Sequence, residues 1–415
     1  MRVLYFTGAY RPDSMVSHTH GELVAALRAR GVAMEIATIG ARDQPEPLAR
    51  ETDTYGTVVW RIRPPSGAMS RIRRAYSAHV WAFPPFEALV RSLRAFLTAE
   101  RIAQYDLFHV GMAFPYATAF RHAMRGRAAP PAIVTITGGD ILTDEGTGYG
   151  YGRLPTTRRA IQRTLRWAAL VQANSPHSAR VVAAYGCPIA RVAVQPPQSP
   201  HATVAAADLA DFRAASRAAL ESSGAIPPGR LLFGLGRMVP IKGYDDVIRA
   251  LPAIRRTHPD VTLMFAGPAR DAAAATYVAS LESLAASLGV RDHVRIAGQI
   301  PFDAVPRYFA AAEIALIPSL IDGLNKTGIE AGAVGTPSLV SETAGLADYV
   351  AQFAAGAVVP PRNPEALAAA ILRLLGDDAA WRAASSGAVR MADAFSLDRT
   401  ADGVLALYER LLVPS

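Results

Sequence analysis

The chain has 415 residues, 51% hydrophobic and 19% charged. That composition excludes a disordered protein, and the length is too great for one ordinary core, so two domains are expected. The single cysteine, Cys187, excludes an intramolecular disulfide and a cysteine-based metal centre, and no apolar run has the length of a membrane span; a cytoplasmic protein is expected, with Cys187 a small buried or semi-exposed side chain.

A first strand pattern, "RVLYFTG", follows Met1 directly, with no leader pattern before it. The amphipathic stretch "GELVAALRARG" comes next, then the strand patterns "AMEIATI" and "TVVWRIR". Arg61, Arg63, Arg71, Arg73 and Arg74 occur with no acid between Asp53 and Glu87. They overlap "RIRRAYSAHVWAFPPFEALVRSLRAFL", which mixes arginine with Trp81, Phe83, Phe86, Leu89, Leu93 and Phe96. Two readings are open for it: a helix packing its apolar side on the sheet, or a peripheral contact with an anionic inner membrane face. The strand patterns "LFHVGM", "AIVTITG", "LVQANS" and "RVAVQP" complete the first half, with seven acid-free arginines in 146–200. Residues 1–200 hold 24 arginines against 13 acids, whereas 201–415 hold 19 cations against 22 acids, for a net of +8. The excess implies an anionic partner or a solvated basic face. No zinc-finger, RRM or KH pattern is present, so nucleic acid is not expected.

Residues 197–229 are rich in Pro, Ser, Gly and Ala and interrupt the series. Strand patterns resume as "LLFGLG", "VTLMFAG", "VRIAG", "IALIPS", "SLVS" and "AVVP". Short, nearly continuous apolar runs alternating with helical stretches imply parallel sheets covered by helices, a doubly wound α/β design. The expected domains are 1–198 and 229–394, with a linker at 199–228. The tail "SLDRTADGVLALYERLL" has apolar residues at 401, 404, 405, 408, 411 and 412, so 395–415 is expected as a one-faced helix returning to the first domain.

All but two of the 43 cationic side chains are arginine. One lysine, Lys242, lies in "LLFGLGRMVPIKGYDDVIRAL". A strand ends at Gly234–Gly236, Arg237 and Lys242 flank a tight loop, and a helix starts near Tyr244. Glycines, two cations and a helix N-terminus describe a phosphate site; an ordinary charged turn is the other reading. A compact ammonium reaches a phosphate differently from a planar guanidinium, which gives a reason to keep lysine there. The other lysine, Lys326, lies in "IALIPSLIDGLNKTGIEAGAVGTPSLV". Asp322 falls in its loop and Glu330 one or two turns into its helix, with the amides of Gly323, Leu324, Asn325, Lys326 and Thr327 placed to donate. A carboxylate there can grip vicinal hydroxyls, as on a ribose, or simply cap or solvate the helix. In "SETAGLADYV", Gly345 turns opposite the same crevice or is a plain loop glycine. No Asp-x-Asp pair occurs, and cations with helix dipoles can neutralise a diphosphate, so no metal requirement is expected.

These motifs resemble the retaining GT-B glycosyltransferases of family four, which use nucleotide-sugar donors. The resemblance is strongest over 229–375: the Gly236-Arg237 and Lys242-Gly243 loop, "FAGPARD", "VRIAGQIP", the paired acids eight positions apart, and "GTPSLVSETAGLADYV". It implies two tandem Rossmann-like domains facing a cleft, the first binding the acceptor and the second the nucleotide sugar. It implies that Gly236, Arg237 and Lys242 hold the donor diphosphate and stabilise the leaving nucleotide. Glu330 would hold the ribose, Asp322 and the amides of 323–327 the transferred sugar and phosphates, and Gly298, Gln299 and Ile300 the base side. Lys326 lies where the family varies, so its donor role is inferred from position alone. The implied reaction moves a sugar to a hydroxyl of a small metabolite, natural product, polysaccharide or lipid, with the nucleotide sugar as co-substrate and no further cofactor.

The first half matches more loosely, through "YDLFHVGM" and the Asn174-Ser175 pair. Ser14 and Met15 stand where many members carry Gly-Gly beside the donor phosphates. Thr137, followed by Gly138, Gly139 and Asp140, stands where many carry a histidine beside the sugar. Asp322 replaces the first glutamate. His18, His109, Thr137, Gly138 and Asp140 are the acceptor-side candidates. His18 with His20 reads as acceptor contact or plain surface, because a metal site would lack further ligands. The departures motivate an alternative, a transferase-like protein that binds nucleotide sugar with altered or no turnover.

Overall fold

The computed structural model describes residues 1–8, 10–11, 15–41, 44–63, 80–81, 83 and 86–412, apart from the side chains of Met15 and Val16. Ser14 and the Arg71, Arg73 and Arg74 run lie outside the described residues. The chain divides into two units, one formed by Met1–Gln198 with Leu397–Ser415 and the other by Ser199–Ser396.

The first unit contains β1 (Arg2–Thr7), β2 (Ala33–Ile39), β3 (Leu48–Thr52), β4 (Val58–Ile62), β5 (Leu107–Gly111), β6 (Ala132–Thr135), β7 (Leu170–Ala173) and β8 (Val192–Val194). They form one sheet in the order β3-β4-β2-β1-β5-β6-β7-β8. Only the β3–β4 pairing is antiparallel. The second unit contains β9 (Arg230–Leu235), β10 (Val261–Ala266), β11 (Val294–Ile296), β12 (Ile314–Ile317), β13 (Ser338–Ser341) and β14 (Gly356–Val359). Its sheet is parallel throughout, in the order β11-β10-β9-β12-β13-β14. Helices cover both faces, which is why β10 is buried at every residue and reads as an unbroken apolar run. Strand β3, "LARET", has no such run; it is an exposed edge strand, and its pattern carries no expectation of a strand.

Residues 199–228, expected as a linker, are instead built into the second unit. Ser199 N donates to Phe395 O at 2.7 Å and Val204 N to Ala333 O at 2.8 Å. Helix Leu209–Ser222 follows. From it the Arg213 guanidinium donates to Ala312 O, Val334 O and Thr336 Oγ1. An Ala- and Ser-rich composition disguised a helix held both by these polar bonds and by Phe212 and Leu220 packed on the core.

The last helix, Leu397–Leu412, belongs to the first unit. Ala401, Val404 and Tyr408 enter its core with Val3, Leu27 and Leu107. Arg30 pairs with Asp398 at 2.9 Å and Asp402 at 2.7 Å. Helix Phe86–Phe96 buries Phe86, Ala88, Leu89, Leu93 and Phe96, so its apolar side serves packing. Among the described residues no helix is long and apolar enough to cross a membrane. Cys187 is buried and free.

Candidate functional site

In the second unit, three glycines draw the strand ends together. Gly236 N donates to Ala266 O at 2.9 Å and Gly267 N to Gly298 O at 2.7 Å. A Cβ on Gly267 would lie 1.8 Å from Gly236 O, so the close approach of β9 and β10 ends requires glycine. The loop after β9 is fixed in the same way. Gly243 has φ +64°, and a Cβ there would lie 2.2 Å from Pro318 O. Leu320 N donates to Ile241 O at 2.9 Å, tying this loop to the one after β12.

That contact brings Lys242 Nζ to 2.7 Å from Asp322 Oδ2. Asp322 Oδ2 also accepts from Asn325 Nδ2 at 3.1 Å. Burial opposes ionisation of Asp322, but the Lys242 ammonium, the Asn325 amide and the Leu324 N–H together hold its carboxyl below the usual range. The Leu324 amide is therefore already engaged by Asp322. Asn325 has φ +72°, a conformation its short amide side chain tolerates, and the Thr327 hydroxyl donates to its Oδ1. Lys326 opens helix Lys326–Ala333. Asp322 O accepts from Gly345 N at 2.9 Å, so the third segment meets the second at this point. Arg237, at the end of β9, is exposed and makes no ion pair among the described residues. Gly298 and Gln299 are exposed after β11, and Ile300 is partly buried against the core.

Glu330 is 1% exposed, which excludes a solvated helix face. Neither of its carboxylate oxygens accepts a hydrogen bond among the described residues. His201 Nε2 lies 3.3 Å from its Oε1 and is also without a hydrogen bond among the described residues. The His201 ring stacks on Phe302, with centroids 4.3 Å apart and planes at 28°. Sequence reasoning missed both residues: one lies in the supposed linker, the other just beyond the base-side loop, and no spacing links them.

The first-unit candidates separate. Met15 begins helix Met15–Ala29. His18 lies on that helix, with Nδ1 2.6 Å from Tyr55 Oη and Nε2 3.2 Å from Glu22. Thr137 is exposed beyond β6 and Gly138 is buried, with φ +135°. Two candidates are corrected. His109 is 1% exposed, and both ring nitrogens are occupied, by Tyr408 Oη at 2.7 Å and Thr135 Oγ1 at 2.6 Å. Burial, with a smaller repulsion from His20, pushes its pKa down to about 3, so it is a neutral core residue. Asp140 is fully buried and accepts from the amides of Ala113, Thr137 and Gly138. Burial raises its pKa against those bonds, and its carboxylate braces two loops instead of facing an acceptor. Among the described residues no group of three metal-ligating side chains occurs.

Two α/β units, each built on a largely parallel sheet covered by helices, have the GT-B fold. The model described as "Glycosyl transferases group 1" matches residues 218–388, and "Glycosyl transferase 4-like domain" matches 16–198. The chain belongs to the group 1 glycosyl transferases. It is 31% identical over 229 residues to D-inositol 3-phosphate glycosyltransferase of Jonesia denitrificans, covering 52% of this chain and 53% of that protein. It is 31% identical over 255 residues to the GDP-mannose-dependent alpha-(1-6)-phosphatidylinositol monomannoside mannosyltransferase of Mycolicibacterium smegmatis, covering 60% and 63%. The chain spans about half the length of the first of these relatives. Its fold is similar to that of sucrose-phosphate synthase from Thermosynechococcus elongatus, with TM-score 0.76 and 20% identity over 99% of this chain and 98% of that one. It is also similar to Anabaena HepE in complex with UDP, with TM-score 0.70 and 17% identity over 99% and 100%.

Proposed function

We propose that the protein transfers a sugar from a nucleoside diphosphate sugar to an acceptor hydroxyl, with retention of configuration and without a metal ion. The observation that carries this reading is the buried Glu330 carboxylate, which has no hydrogen bond of its own and lies on the helix that follows the loop whose Asp322 holds Lys242. A buried, unsatisfied carboxylate costs stability, and a ribose diol supplies the two donors it lacks. In this reading Lys242 and Arg237 take up the charge on the departing diphosphate, and Asp322 fixes the ammonium. The acceptor oxygen bonds to the anomeric carbon on the face from which the diphosphate leaves. The anomeric C–O bond to the diphosphate breaks, and the acceptor proton passes to a diphosphate oxygen. No protein nucleophile enters the scheme.

Relatives named for inositol phosphate and for a phosphatidylinositol mannoside, together with the arginine excess of residues 1–200, support an acceptor that carries an anionic group. The test is release of nucleoside diphosphate from UDP-, GDP- and ADP-sugars, with and without inositol 3-phosphate or phosphatidylinositol, and the anomeric configuration of product by NMR. Acceptor-dependent release with a retained anomer supports the proposal. Nucleotide binding with no transfer to any acceptor would favour the binder without turnover, the reading that Thr137 in place of a histidine motivates.

A further inference from the structure

Three buried polar atoms without hydrogen bonds meet at one place: both oxygens of Glu330 and Nε2 of His201. Two of these atoms face each other at 3.3 Å, and buried polar groups call for further partners, water or a polar ligand. We infer that His201 and Glu330 form a two-sided clamp for a vicinal diol, with His201 a binding residue of the donor site. The inference rests on the nucleotide-sugar reading and adds a residue to it.

The chemistry is complementary. A carboxylate only accepts, so it takes the two O–H donors of a cis diol. Each hydroxyl oxygen then keeps lone pairs to be satisfied. A hydroxyl bonded to Glu330 Oε1 sits beside His201 Nε2, because those two protein atoms are 3.3 Å apart. An Nε2–H donates to that oxygen. The imidazole is well held for the task. Its side chain is 13% exposed, its ring lies on Phe302, and its chain segment is anchored by the Ser199 and Val204 amides to Phe395 and Ala333. The Ser199 hydroxyl donates to His201 O at 2.7 Å, closing the segment on itself. Phe302 follows the base-side loop, so the stack joins the diol clamp to the wall against which a nucleobase would lie.

The test compares a ligand with the diol against one without it. Calorimetry measures the Kd of UDP, GDP or ADP, whichever raises the melting temperature most, and of its 2′,3′-dideoxy analogue. Wild type is expected to prefer the ribose form. His201→Ala is expected to weaken the ribose form about tenfold, the value of one good hydrogen bond, and to leave the dideoxy form unchanged. His201→Gln, which keeps a donor, restores part of the preference; Phe302→Leu loses part of it. Unchanged dideoxy binding also shows that each variant is folded. If Glu330→Gln abolishes the preference and neither His201 variant alters it, the clamp is wrong while the nucleotide site stands. If no nucleoside diphosphate binds wild type, the underlying reading fails instead. Equal loss of both ligands in His201→Ala and His201→Gln would make His201 a structural residue and overturn the inference.

Discussion

Lys242 occupies a position that arginine would fill poorly. Its ammonium is 2.7 Å from the Asp322 carboxylate, and a Cβ on Gly236 would lie 3.4 Å from Lys242 Cε, so the aliphatic stem runs against backbone. A guanidinium also pairs with a carboxylate, but its longer stem and planar head do not follow the same path against backbone. Lys242→Arg is therefore expected to keep the charge and lose about tenfold or more in turnover, and Lys242→Ala about a hundredfold or more, with circular dichroism unchanged. Asp322 gives the site a pH signature. Its folded pKa is depressed, so its contribution to stability is present above the ordinary carboxylate range and is lost as pH falls through the folded value. Glu330 sets up a trade between stability and binding. Replacing an unsatisfied buried carboxylate by Gln in the ligand-free protein is expected to raise the melting temperature by a few degrees, while nucleoside diphosphate affinity falls. A lower melting temperature in Glu330→Gln would show that the carboxylate is satisfied in solution.

At the scale of elements, the glycine loops hold the site's geometry. Gly243→Ala forces a Cβ into the left-handed region and onto Pro318 O, and is expected to cost more than about 1 kcal/mol in chemical denaturation and to separate Lys242 from Asp322. The same elements show what a sequence can and cannot convey. Strands such as β1, β10 and β12 were legible because burial on both faces selects β-branched and aliphatic runs. Strand β3 was illegible because an exposed edge needs no such run. The Lys242 loop and the Asp322 loop with the Glu330 helix after it could be located because glycines, charges and apolar strands fall in order along the chain. The partnership of His201 with Glu330 could not, because 129 positions separate them and only packing joins them. His109 misled for a related reason. A histidine near a strand end suggests a ligand, yet here the returning helix supplies Tyr408 and seals it in.

For the molecule as a whole, that returning helix closes the first unit's core. Removing residues 397–415 would uncover the core face that Ala401, Val404 and Tyr408 cover, and is expected to cost several kcal/mol and render the first unit insoluble. His109 couples the same core to pH. Its folded pKa of about 3 lies below the ordinary histidine value, so between about pH 6.5 and 3 the unfolded chain binds the extra proton. Stability should then fall by up to about 1.4 kcal/mol per pH unit on acidification across that window, and His109→Gln should flatten the slope in urea titrations. The second unit carries the central claim, that a fixed ammonium neutralises a nucleoside diphosphate. The direct measurement is calorimetric affinity for nucleoside diphosphate against the matching monophosphate, in wild type and Lys242→Ala. Wild type is expected to prefer the diphosphate strongly, and the variant to lose that preference. An equal preference in both proteins would contradict the claim.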